Sequence, residues 1–215
     1  MAIINTRLIA VIQESDAVIH KRIKQSMYAD VTKTFAKAKL LIEKALKMEV
    51  SVWLANSPEL ESILSGSLRG DFGIVSPAGP VSAIIEAVSQ SVEVEYYPLA
   101  RNLSGTALAI RIQPRTLQNV LGVVPSVVTE KGESLPWIEW LLKRGDDIVV
   151  SNYHVVESER GRTGEAVMKP GGNYTVGRVN PAFSGTEDDN FITRALDDRE
   201  MEIARILASS LEKVK

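Results

Sequence analysis

The chain has 215 residues, of which 45% are hydrophobic and 24% charged, so it is long enough to bury one substantial core. It contains no cysteine and only two histidines, which excludes a disulfide framework and, in effect, a structural zinc site. The formal net charge of -2 comes from interspersed signs, so the totals provide no basic field that would hold DNA.

We expect no targeting signal at the N-terminus. Residues Met1–Asn5 lack a basic region followed by an apolar one, and no apolar run approaches the roughly 20 residues of a membrane-spanning helix. We therefore expect a protein that stays in the cytoplasm where it is made and makes no contact with a membrane.

The first 50 residues or so are predicted to be helical. Residues 3–25 have apolar side chains at roughly helical steps, with a polar break at Glu14–Asp16. From Asp30 a long amphipathic helix is predicted, with an apolar face and a row of lysines opposite it. Two interpretations of the lysine row remain open, a solvated surface or a patch that faces nucleic acid or an acidic partner.

A short helix with clear boundaries follows. Ser57 is placed to cap it, Pro58 occupies its first position, and Gly66 ends it. The glycine-rich stretch 65–74 then predicts a turn in which the backbone packs closely on another part of the chain. Its spacing does not fit a phosphate-binding loop.

The middle of the chain is predicted to form a sheet. Residues 92–96 alternate in period two, residues 107–112 form a second run, and an antiparallel pair is the simplest arrangement. We expect a helical lead-in at 83–90. Residues 117–128 are predicted to add an edge or bulged strand, because a glycine and Pro125 interrupt the apolar run.

A compact helix with two of the three tryptophans is predicted at 134–145. Two roles for Trp137 and Trp140 remain open, the core of the protein or an aromatic anchor in a subunit contact. The run Asp147–Val156 is the strongest strand signal in the chain, and we interpret His154 as an ordinary residue of that strand.

Residues 157–180 are rich in glycine, arginine and proline, which predicts a long exposed hairpin or loop with strand fragments at 167–168 and 174–176. Because Arg160, Arg162, Lys169 and Arg178 make this loop basic, it is the best candidate to reach a partner.

One long C-terminal helix is predicted to start after Thr186 as its N-cap and to run to Val214. Three acidic residues follow Thr186, where the helix dipole favours them. Taken together, the elements predict a single α+β domain over residues 1–215, with mostly antiparallel β-sheet flanked by a long amphipathic N-terminal helix and a long C-terminal helix.

Neither a catalytic motif nor a cofactor or metal site is evident. The chain has no Gly-x-Ser-x-Gly elbow, no cysteine nucleophile and no histidine-rich motif. A structural or binding role is therefore favoured over catalysis. An enzyme with an unfamiliar site and a soluble adaptor protein remain as alternatives.

Four segments of the chain share a pattern with a known family. They are Leu64–Arg69, Pro136–Asp146, Gly161–Gly164 and Pro181–Leu196. Together, and in this order along the chain, they resemble neck and tail-completion proteins of long-tailed bacteriophages. The resemblance extends over roughly residues 35–205. Residues 1–30 lie outside the shared segments, and residues 113–133 are interpreted as an insertion.

The resemblance implies a structural virion protein without catalytic residues. Such a subunit forms a homo-oligomeric ring, commonly of six copies and alternatively of twelve, that joins head to tail or terminates the tail tube and keeps the DNA channel continuous. The implied location is the virion neck, reached from the host cytoplasm during assembly. Portal-side connector and tail-tube or terminator proteins are the implied partners, and passing genomic DNA is a transient, non-specific one.

A ring subunit needs two different, complementary faces. The candidate subunit or neck interface consists of Leu68, Arg69, Trp137, Trp140, Arg160, Arg162, Arg178, Phe191 and Arg194.

Overall fold

A computed structural model describes residues 15–105, 107–128, 134–144, 153–157, 166–170 and 182–214. Within these residues the helices are α1 (Asp16–Ala55), α2 (Pro58–Ser65), α3 (Ser67–Asp71), α4 (Ala78–Gln90), α5 (Gln118–Val123), α6 (Trp137–Leu142), α7 (Phe191–Leu196) and α8 (Glu200–Glu212). The strands are β1 (Glu93–Tyr96), β2 (Leu108–Arg111), β3 (Val127–Val128), β4 (Ser134–Leu135), β5 (Tyr153–Glu157) and β6 (Ala166–Pro170).

Helix α1 is the central element of the fold. It runs for 40 residues without interruption, because no glycine or proline occurs between Asp16 and Ala55 to end it. The predicted helix at 3–25 and the predicted helix from Asp30 are thus one helix where the structure describes them. Of the predicted polar break at Glu14–Asp16, Ser15 is the N-cap and Asp16 the first residue of α1, while residues 1–14 lie outside the described part.

One face of α1 organises the core. It buries six residues, namely Ala38, Ile42, Leu46, Val50, Trp53 and Leu54. Helices α4, α7 and α8 and strand β1 pack against α1. Because full burial of each large aliphatic side chain contributes roughly 1.5–3 kcal/mol, this face supplies a large share of the hydrophobic stabilisation.

The short helix after α1 forms as predicted. The Ser57 hydroxyl accepts a hydrogen bond from the Leu60 backbone nitrogen at 3.4 Å, Pro58 is the first helical residue, and Gly66 follows the last. The predicted lead-in at 83–90 is also confirmed as part of α4, which buries Ile84 and Val88.

The prediction that the domain is mostly antiparallel sheet is wrong, although the α+β class and the long N-terminal helix are confirmed. The described part is mainly helical, and its six short strands form three separate antiparallel pairs, β1 with β2, β3 with β4, and β5 with β6. The predicted hairpin of residues 92–96 and 107–112 is present, with Glu93 opposite Arg111. No third strand joins this pair among the described residues, so it stays a small hairpin beside α1.

The predicted edge strand at 117–128 is wrong over most of its length. Residues 118–123 form helix α5, and only Val127–Val128 are in a strand. Val120 is buried within α5, and the buried Val124 follows the helix with an extended backbone. The sequence did not distinguish the two structures, because a short continuous apolar run fits a strand and a helix equally well.

The C-terminal helix begins later than predicted and is interrupted. Asn190, not Thr186, is the N-cap: its side chain accepts hydrogen bonds from the backbone nitrogens of Ile192 and Thr193 at 3.0 and 3.3 Å. The Thr186 hydroxyl instead accepts from the Asp189 nitrogen at 3.1 Å in the preceding turn. Helix α7 ends at Leu196, and α8 starts after a turn in which Asp198 has a φ of 55°.

The predicted basic hairpin is partly described. Strands β5 and β6 pair with His154 opposite Lys169, which confirms the strand positions of His154 and of residues 167–168. Strand β6 lies beside α3. The first part of the predicted strand at 147–156, the predicted fragment at 174–176 and the three loop arginines all lie outside the described residues.

None of the helices in the described ranges combines the length and the hydrophobicity that crossing a lipid bilayer requires.

Candidate functional site

Three buried aromatic rings join the glycine-rich turn to the tryptophan helix. The ring of Phe72, which follows α3, lies 5.8 Å from the Trp137 ring and 6.0 Å from the Trp140 ring, measured between centroids. All three side chains are buried. We call these three residues the aromatic junction. Because rings at such distances attract one another in addition to burying area, the junction holds α3 firmly against α6.

The loop before α7 packs against the other end of α6. The backbone of Gly185 lies so close to the Leu141 carbonyl that a Cβ atom at residue 185 would be 1.9 Å from its oxygen. Such a Cβ would also lie 2.9 Å from the Asn190 Cβ. Only glycine fits this position, and the requirement is steric. Lys143 and Glu187 add a surface ion pair at 3.0 Å, which contributes little.

Arg194 connects α7 to α2. Its guanidinium donates to the Glu59 carboxylate at 2.7 and 3.2 Å, to Asp189 Oδ1 at 2.8 Å and to the Ser184 carbonyl oxygen at 3.3 Å. The Glu59 side chain is only 5% exposed. Burial disfavours the charge on Arg194, but the hydrogen bonds and charges of Glu59 and Asp189 outweigh it, so the pKa of Arg194 is raised.

Arg69 closes the glycine-rich turn on itself. Its guanidinium donates to the carbonyl oxygens of Ile74 and Val75 at 3.4 Å each. The neighbouring Asp71 is half-buried, and this burial raises the pKa of its carboxyl group. Arg69 thus shapes the turn that carries Phe72 into the aromatic junction.

The predicted interface residues fall into three groups. Leu68, Trp137, Trp140 and Phe191 are buried in the core of this chain, which is the core interpretation left open for the tryptophans. Arg69 and Arg194 are partly exposed and bonded within the chain. The third group, Arg160, Arg162 and Arg178, lies outside the described residues.

A groove lies on the surface beside the ion pair of Arg194 and Glu59. It has a volume of about 310 Å³ and is lined by Trp53, Asn56, Ser57, Pro58, Glu59, Ala182, Arg194, Ala195 and Arg199. The Arg199 guanidinium lies 5.3 Å from the centroid of the Trp53 ring, in position for a cation–π contact. Arg194 therefore forms part of a groove wall that a partner's side chain can reach.

Three residues that hold the site together were missed in the sequence. Glu59 resembled an acid that favours a helix N-terminus, Phe72 an isolated aromatic residue and Gly185 one loop glycine among several. One indication of their importance was present in the sequence, since each lies inside or within five residues of a segment that carries the resemblance. Their positions did not show which part of the chain each residue contacts.

Replacing Arg194 by methionine is expected to lower the free energy of unfolding by about 2 kcal/mol, because it leaves the buried Glu59 carboxylate without its cation. The loss is smaller than for a fully buried pair because Arg194 is partly exposed. In a Glu59→Gln background the same substitution should cost about 1 kcal/mol less. Urea denaturation of the four proteins measures both values.

The matched control is Arg205→Met, since Arg205 is exposed on α8. It should change the free energy of unfolding by no more than about 0.5 kcal/mol. Equal losses for Arg194→Met with and without Glu59→Gln would contradict an energetic link between the two side chains.

Within the described ranges, no three acidic or histidine side chains converge as metal ligands would. Comparison of the chain with protein-family models, with curated proteins and with solved structures gives no match.

Proposed function

We propose that this chain is a structural subunit of the neck of a long-tailed bacteriophage. It forms a ring that joins head to tail or terminates the tail tube, and it keeps the DNA channel continuous. Its partners are further copies of itself, a portal-side connector and a tail-tube or terminator protein. The basic loop with Arg160, Arg162 and Arg178 is the part proposed to meet passing DNA, by weak attraction to phosphates.

One observation carries this proposal. Four segments bear the resemblance, 64–69, 136–146, 161–164 and 181–196, and the structure describes residues of all but 161–164. Gly185 of segment 181–196 lies against Leu141 of segment 136–146. Phe72, three residues after segment 64–69, contacts the tryptophans of segment 136–146. This packing supports treating the segments as one structural unit.

The unit also suits a subunit whose task is mechanical. Its interior is filled by aromatic and aliphatic side chains, and its polar links, such as the Arg194–Glu59 pair, tie helices together. Such a scaffold keeps its surface rigid, which limits the entropy that is lost when copies associate.

The proposal is tested genetically and by electron microscopy. The coding sequence is expected to lie beside portal and tail genes in a phage genome. A nonsense mutation in it should give filled heads and separate tails instead of joined particles. Infectious, joined particles from the mutant, or a coding sequence in an unrelated cellular operon, would contradict the proposal.

A further inference from the structure

Helix α1 carries a second apolar stripe on the side that faces away from the core. The stripe consists of Leu41, Ala45, Met48 and Val52, at steps of four, three and four residues. Met48 is 63% exposed, Val52 51% and Leu41 40%. A stripe with this spacing is what one helix presents to a second helix.

Lysines border the stripe along one edge. Lys37 lies four residues before Leu41 and Lys44 three residues after it, so both lie next to the stripe on the helix surface. Neither makes an ion pair with another residue that the structure describes. Helix α1 as a whole has eight basic and four acidic side chains. The exposed Glu49, four residues after Ala45, lies on the opposite edge. The stripe therefore favours an occupant that is apolar along its centre and acidic at the edge that meets the lysines.

The C-terminal part of the same chain has these properties. Residues 182–214 contain eight acidic and four basic side chains. Helix α8 exposes Met201, Ala204 and Ala208, at steps of three and four residues, and Met201 is 68% exposed. The exposed acids Asp197 and Glu200 lie beside Met201 on one edge of this face, and the exposed Arg205, four residues after Met201, lies on its other edge. The two alanines would let another helix approach closely.

We propose that the α1 stripe of one copy packs against the Met201–Ala208 face of α8 in a second copy. The lysines beside the stripe then face the acids beside α8. A second copy is the occupant because this chain itself carries both complementary surfaces. The contact joins two different faces, so repeated copies continue in one direction and close into a ring when the rotation allows. This inference rests on the proposed ring function and names the surfaces that build it.

The first test places a charge in the centre of each surface. Met48→Glu and Met201→Glu should each raise the dissociation constant of self-association by about tenfold or more, because a carboxylate replaces an apolar contact. Ala36→Glu is the matched control, since Ala36 is exposed on another side of α1. Sedimentation velocity measures association, and circular dichroism verifies that each variant is folded, as expected for exposed positions.

The second test mixes the two variants in equal amounts. Met48→Glu retains an intact α8 face, and Met201→Glu retains an intact α1 stripe. The mixture should therefore form a dimer with one copy of each variant, which cannot grow further. A mixture that stays monomeric would show that the two surfaces do not contact each other and would overturn the inference.

Failure of the inference can be told from failure of the proposed function. A Met48→Glu variant that assembles like the wild type contradicts the α1 contact but leaves the ring in place. A wild-type chain that is monomeric in solution up to about 100 μM also overturns the inference, because a protein interface of ordinary size would associate by then. The proposed neck function would then require that the ring forms only once the chain binds to heads or tails.

Discussion

Gly185→Ala is expected to lower the free energy of unfolding by about 2–4 kcal/mol, measured by urea denaturation. The added Cβ would lie 1.9 Å from the Leu141 carbonyl oxygen and 2.8 Å from its carbonyl carbon. These are backbone atoms of α6, so the clash is not relieved by rotating a side chain. Either α6 or the loop before α7 must move.

Gly122→Ala provides the control for this substitution. A Cβ at Gly122 would meet no atom within 4 Å, and the residue lies inside helix α5. Alanine should therefore stabilise the protein there, by up to about 1 kcal/mol, through its higher helix propensity. If Gly185→Ala were as stable as the wild type, the packing of the loop on α6 would be incorrect.

Phe72→Ala should cost about 3–5 kcal/mol of the free energy of unfolding, because it removes the central ring of the aromatic junction and leaves a cavity. The ring is 2% exposed and contacts both Trp137 and Trp140. Tryptophan fluorescence should change with it, since two of the three tryptophans lose a neighbour.

Tyr97→Ala is the matched aromatic control, since Tyr97 is exposed beside the β1–β2 hairpin. It should alter the free energy of unfolding by about 0.5 kcal/mol or less. A Phe72→Ala variant that unfolds at the urea concentration of Tyr97→Ala would contradict the assignment of Phe72 to the core.

The sequence predicted an element correctly where residues close together in the sequence determine that element. Ser57, Pro58 and Gly66 mark both ends of α2, and the hairpin of β1 and β2 follows from its alternating residues. These features depend on neighbours in sequence, which capping and side-chain alternation describe well.

Other features depend on residues that are distant in sequence. Glu59 and Arg194 are 135 positions apart, and no local pattern indicates that they meet. The steric need for glycine at 185 likewise becomes visible only once α6 lies against it.

The other differences between the predicted and the observed elements arise where the sequence is compatible with two local structures. Thr186 and Asn190 are both good N-cap residues, and the side-chain bonds of Asn190 with Thr193 decide in favour of the later start. Val120 is buried within helix α5 although valine favours strands, because packing overrides propensity.

The residues predicted to form an interface also depend on tertiary packing that the sequence does not show. The aromatic residues among them belong to the core, and the surfaces open to a partner in the described part of the chain include the groove beside Arg194, the outer stripe of α1 and the Met201–Ala208 face of α8. The aromatic junction and the α1 stripe therefore predict different defects. Changes at Phe72 or Gly185 should destabilise the subunit, while changes at Met48 should leave its stability unchanged and weaken its association.

Native mass spectrometry of the purified chain, followed by electron microscopy of the species it reveals, tests the proposed ring most directly. We predict a closed ring of six or twelve copies, formed by the protein alone or once tails or filled heads are added. A stable monomer or dimer that joins neither would contradict the neck function.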